Sequence, residues 1–97
     1  MLFLNNLKVE TKMTTSTHST FKIGAVSRIT NIPIDTLRIW ERRYSVVEPI
    51  RTNNSDRQYQ NDDINRLTLL KMLVDRGHSI GGIAPLANEK LIERLEI

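Results

Sequence analysis

From Phe21 onward the apolar residues recur at helical spacing. Ile23, Val26 and Ile29, with Ala25 beside them, predict a short first helix over Ile23–Thr30. Asn31 accepts the left-handed conformation that closes a helix, and Pro33 then stops continuation while suiting the first turn of a new helix. Leu37, Trp40 and Tyr44 lie three and four residues apart, so a second helix over Ile34–Tyr44 has one apolar face. Asp35 near its start complements the helix dipole. Thr36, Arg38, Ile39, Arg42 and Arg43 project elsewhere.

The period changes after Tyr44. Val46 and Val47 are β-branched, Pro49 breaks a helix, and Asn53-Asn54-Ser55-Asp56 is a turn cluster. Pro49-Ile50-Arg51 on one side and Arg57-Gln58-Tyr59-Gln60 on the other predict a short hairpin, a wing. Asn61 is the expected N-cap of a long amphipathic helix to about Arg76, with Asp62 and Asp63 in its first turn. Its core stripe is Ile64, Leu67, Leu70 and Leu73 or Val74, and Gly77 ends it. Ser79 is placed to cap a helix from Ile80 to about Leu86, and Asn88 to cap a last one over Glu89–Glu96. There are no internal repeats. Two short helices joined by a tight turn, then a hairpin, make the chain mainly α: a winged helix-turn-helix with a short β-hairpin wing and additional C-terminal helices.

The first 20 residues differ in character. Met1-Leu2-Phe3-Leu4 is too short for a signal sequence, and the Ser/Thr run from Thr14 to Thr20 has nothing to pack a core. The expected division is a disordered leader over 1–20, with Met13 as an alternative start, and one domain over 21–97. With 97 residues, 39% of them apolar, there is room for one small core. No apolar run approaches membrane-spanning length.

The net charge is only +3, so its distribution matters more than its sum. Residues 22–60 hold seven Lys/Arg against four acids, while residues 61–97 hold five against six. A basic patch in the first half is the electrostatic footprint of a polyanion partner. Enzymatic chemistry finds no support. Cysteine is absent, His18 and His78 have no partner at ligand spacing, and no lysine follows Gly77, Gly81 and Gly82 to make a phosphate loop. The expectation is therefore no catalysis, no metal, no cofactor in this chain and a cytoplasmic location.

The major groove of B-DNA admits one α-helix, whose exposed side chains meet base edges and flanking phosphates. The helix from Ile34 to Tyr44 offers a stripe to seat it and an outer face to read with. Arginine clamps phosphate or bonds guanine with two parallel hydrogen bonds. Arg38, Arg57 and Tyr59 are expected to grip phosphate, with Arg51 and Arg43 adding basic reach. Thr36, Ile39 and Arg42 are expected to read bases. Trp40 and Tyr44, sharing the face of Leu37, belong to the core. Arg43 has an equal claim to an internal acid, and Tyr59 to covering the hairpin.

Phe21-Lys22-Ile23-Gly24-Ala25-Val26, followed by Ile32-Pro33-Ile34-Asp35-Thr36-Leu37-Arg38-Ile39-Trp40-Glu41-Arg42-Arg43-Tyr44, resembles the start of MerR-family transcriptional regulators. The Leu-Arg-x-Trp-Glu-Arg-Arg-Tyr run looks most like the branch of light-responsive, cobalamin-binding repressors. Arg57-Gln58-Tyr59 matches the family's wing signature, and Asn61-Asp62-Asp63-Ile64 and Arg76-Gly77-His78-Ser79-Ile80-Gly81 fit its next two helices. The resemblance covers about residues 21–87. It implies double-stranded promoter DNA as partner, phosphate contacts from Arg38, Arg57 and Tyr59, and a homodimer formed through a C-terminal region absent from this chain. The branch implies repression by promoter occupancy. Two departures stand out. Ser45 occupies a position where glycine is usual, and Asp56 one where the branch often has histidine. The chain ends before any sensor domain and carries no cobalamin-binding histidine motif, so it is expected to be either an excised domain or a stand-alone module. A protein-interaction (antirepressor) or excisionase-like architectural module on the same fold remains the alternative.

Overall fold

The computed structural model describes residues 19–52 and 56–97. Helices α1 (Ile23–Thr30) and α2 (Ile34–Tyr44) are followed by strands β1 (Ile50–Arg51) and β2 (Arg57–Gln58), then by α3 (Asn61–Asp75), α4 (Ile80–Ile83) and α5 (Asn88–Leu95). This is the mainly helical, winged helix-turn-helix arrangement that the sequence pattern predicts. Apart from Ser19 and Thr20, the predicted leader lies outside the described residues, as do Asn53, Asn54 and Ser55 of the wing turn.

The turn between α1 and α2 is pinned by short side chains. Asn31 ends α1 at φ 62°, its N–H bonded to the Ser27 carbonyl. The Ser27 hydroxyl donates to the Ile32 carbonyl at 2.6 Å, and the buried Thr30 hydroxyl donates to the Val26 carbonyl at 2.7 Å. The predicted stripe of α1 needs one correction. Val26 is fully buried, but Ile29 is 55% exposed. At about 100° per residue, Ile23 and Thr30 fall on the same flank of Val26, and Ile29 falls on the opposite one. The core lies on the former side, so a threonine is buried where an isoleucine was expected.

α3 is the central support and packs against α1, α4 and α5. Ile64, Leu67, Leu70 and Leu73 are its buried residues, and they join Val26, Ile32, Leu37, Trp40, Tyr59, Ile83 and Leu91 in one core. Each such side chain contributes on the order of 1.5–3 kcal/mol when fully withdrawn from water. Its N-cap is Gln60 rather than Asn61. Gln60 and Asp63 form a reciprocal capping box, and the Asp63 carboxylate accepts from the Gln60 N–H at 2.9 Å. Burial pushes the Asp63 carboxyl above the usual range. The helix ends in a Schellman arrangement: Gly77 sits at φ 104°, its N–H bonds the Val74 carbonyl, and the His78 N–H bonds the Leu73 carbonyl.

Ser79 caps α4 as predicted, accepting from the Gly82 N–H. The helix stops at Ile83 rather than near Leu86. Pro85 has no N–H to extend the ladder. Asn88 begins α5 instead of capping it, and Ala87 holds the cap position. The Asn88 amide oxygen instead accepts from Arg66 at 2.8 Å. Arg66 also donates to the carbonyls of Val46, Ala84 and Leu86 at 2.7–2.9 Å. One guanidinium thus ties the chain entering the wing to the chain entering α5. Leu91 is buried on this core, Ile92 is partly exposed and Ile97 wholly so.

A candidate nucleic-acid interface

α2 is held by its apolar stripe. Leu37 is fully buried and Trp40 nearly so, while Tyr44 packs at the edge of the core. The remaining faces carry the predicted readers. Arg38, Ile39, Arg42 and Arg43 are exposed, and Thr36 is half-buried. Thr36, Ile39 and Arg43 follow one line of the helix, and Arg38 and Arg42 a neighbouring one. Arg43 lies over the Tyr44 ring, 5.6 Å from its centroid, rather than against an internal acid.

Ser45 closes α2 in the left-handed conformation, φ 50° and ψ 43°, its N–H bonded to the Glu41 carbonyl. This is where glycine would sit without strain. The turn sends the chain through buried Val46 and Val47 into the wing. β1 and β2 are antiparallel, with Ile50 opposite Gln58 and Arg51 opposite Arg57. Two-residue strands cannot hold a hairpin by themselves. The segment before α1 supplies a third partner. Phe21 and Tyr59 exchange both backbone hydrogen bonds at 2.8 Å, and the Thr20 hydroxyl donates to the Gln58 side chain.

A polar latch joins wing and helix. Tyr59 is fully buried, and its hydroxyl donates to the Glu41 carboxylate. The other carboxylate oxygen lies 3.0 Å from Arg57 Nε. That N–H is not aligned on any acceptor, so the contact is an ion pair rather than a hydrogen bond. Burial first, then the accepting carboxylate, raises the Tyr59 phenol well above its ordinary value, so it stays a donor. Beside the latch a cleft of about 360 Å³ opens between the end of α2 and β1, lined by Glu41, Arg42, Val47, Glu48, Arg51 and Arg57.

The structure therefore brings Arg42, Arg51 and Arg57 to one cleft and places Arg38, Ile39 and Arg43 on the adjoining helix surface. Tyr59 stands apart from the other predicted contact residues: in this conformation it offers no surface to a phosphate. Glu41 was absent from the predicted site, although its place beside Trp40 and four residues after Leu37, on the flank of the buried stripe, marks it as a half-sheltered acid. Among the described residues, no group of His, Asp and Glu is arranged to hold a metal ion, and no helix is long and apolar enough to cross a membrane.

Comparison with known proteins agrees with this geometry. The model of MerR HTH family regulatory proteins matches residues 21–90. The HTH-type transcriptional repressor CarH of Myxococcus xanthus is 36% identical over 77 residues, which cover 79% of this chain and 25% of that protein. The HTH-type transcriptional regulator MlrA of Escherichia coli K12 is 30% identical over 73 residues, covering 75% of this chain and 30% of that one. The chain thus spans between a quarter and a third of the length of these relatives. A crystal structure of a MerR-family transcriptional regulator from Bacillus cereus superposes with a TM-score of 0.64 over 80% of this chain and 63% of that one; at 18% identity the likeness is one of fold.

Proposed function

Because the chain belongs to the MerR HTH family of regulatory proteins, its winged helix-turn-helix being that family's DNA-binding module, we propose that it recognises a specific promoter sequence. α2 enters the major groove and the wing lies along the backbone. Thr36, Ile39 and Arg42 read base edges. Arg38, Arg51 and Arg57 bind phosphate, with Arg43 beside them. Tyr59 serves from inside, as part of the scaffold that sets the wing.

The observation that carries this reading is the division of α2. Its buried Leu37–Trp40 face fixes it on the core, and its outer face presents Arg38, Ile39 and Arg42 without any ion pair to the described residues. Phosphate contacts of this kind fix register, and base contacts supply choice. The same reading has the chain bind a two-fold-related site as a homodimer, formed through a region outside this chain, because one such module buries a limited interface. Repression by occupying the promoter follows the similarity to a named repressor.

The test is selection from a randomised duplex pool, with affinity measured by fluorescence anisotropy at two salt concentrations. The reading predicts enrichment of a palindromic site and affinity that falls steeply with salt. Absence of binding at both salt concentrations would contradict it and favour a protein-interaction module, toward which the acid Asp56 on the wing points.

A further inference from the structure

We propose that Glu41 is a positioning residue for DNA binding: itself held by the Tyr59 hydroxyl, it fixes the Arg57 guanidinium at the last turn of α2 and presents it to the DNA backbone. This rests on the DNA-binding reading above.

The Glu41 side chain is only 8% exposed. A carboxylate so nearly withdrawn from water costs folding free energy unless it is well partnered. Both of its partners come from the wing: Tyr59, whose hydroxyl donates to one oxygen, and Arg57, whose Nε lies 3.0 Å from the other. The phenol belongs to a fully buried ring whose backbone is itself paired with Phe21. The carboxylate is thereby held through Tyr59 and acts in turn on the long side chain of Arg57.

The geometry of that arginine is asymmetric. Its Nε is buried against Glu41, yet the side chain keeps 29% of its exposure and lines the cleft with Arg42 and Arg51. Arg57 is thus held at Nε while its side chain still borders the cleft. A free arginine loses considerable rotamer freedom on gripping a phosphate, and an anchored one has already lost it. The opposite effect is also physical. An acid beside a phosphate-binding arginine offsets its charge and repels DNA. The two effects predict opposite signs. Positioning wins here because Glu41 is sheltered, hydrogen-bonded by Tyr59 on one oxygen and ion-paired with Arg57 on the other, whereas a merely repulsive acid needs no such partners.

The experiment measures affinity for a short mixed-sequence duplex at low salt, using the whole chain and a double-mutant cycle. Glu41→Gln keeps the shape and an acceptor for Tyr59 but removes the anion. It is expected to weaken binding about tenfold, with Arg57→Ala losing at least as much. The double variant is expected to bind no more weakly than Arg57→Ala alone, because Glu41 acts through that arginine. A purely structural role would instead leave a loss in the Arg57→Ala background. Tyr59→Phe keeps the buried ring, and its smaller loss is likewise expected to vanish when Arg57 is absent; this variant carries the test if Glu41→Gln fails to fold. Tighter binding by Glu41→Gln, or losses that multiply in the double variant, would overturn the assignment. Failure of the unsubstituted chain to bind any duplex would overturn the DNA-binding reading itself, and this proposal with it.

Discussion

Between Lys22 and Gln60 the chain carries seven basic side chains, and between Asn61 and Ile97 it carries five. Four of the second group, all but Arg94, are engaged with the domain's own atoms. Lys71 meets Asp75 at 2.8 Å, Lys90 reaches Glu93 at 3.6 Å, and Arg76 donates to the Leu95 carbonyl at 2.6 Å. Arg66 spends its donors on three carbonyls and an amide. In the first group, Arg57 pairs with Glu41 and Arg43 covers a tyrosine ring, while Arg38 and Arg42 form no ion pair with the described residues. A domain whose overall charge is close to balanced therefore presents a basic surface made by α2 and the wing. What distinguishes Arg38 and Arg42 from Arg66 and Arg76 is the lack of an acceptor among the described residues.

That contrast can be broken from either side. The largest effect is expected from Trp40→Ala, which empties the seat of α2 and should lower stability by about 3–5 kcal/mol in urea unfolding. Because one core serves both halves, α3 and α5 should melt in the same transition. Arg66→Met comes next. It strands three carbonyls between the wing root and α5, and should lower stability by about 2 kcal/mol. Arg38→Ala is the converse case. Stability should change by less than about 0.5 kcal/mol, while affinity for every duplex falls roughly tenfold and the salt slope decreases by about one. An unchanged salt slope would remove Arg38 from the phosphate contacts. The smallest effect is expected from Ser45→Gly, which relieves the left-handed strain at the end of α2 and should raise the unfolding free energy by about 0.5–1 kcal/mol.

Most of the fold was legible in the sequence because it is written in spacing. The boundaries of α1 and α2, and the two strands of the wing, follow from apolar periodicity, Asn31, Pro33 and the turn cluster. What escaped was decided by tertiary contacts. Ile29 is exposed because the core lies on the Thr30 side of Val26, and a three-residue spacing alone leaves that flank open. Asn61 and Asn88 are good capping residues by type. Gln60, however, completes a box with Asp63, and Asn88 is claimed by Arg66 from 22 positions away. The site was legible to the same degree. The residues that face outward on α2 were readable as the complement of its buried stripe. The inward turn of Tyr59 and the role of Glu41 were not, since they depend on how a two-residue strand is held against a helix it does not adjoin in sequence.

On the proposed function, α2 and the wing, and not the C-terminal helices, meet DNA. Amide chemical-shift mapping of the chain with a selected duplex tests it most directly. The largest changes are expected on Thr36–Arg43 and on β1 and β2, with α5 little affected. Changes concentrated on α5 and the end of α3, with α2 unmoved, would contradict it.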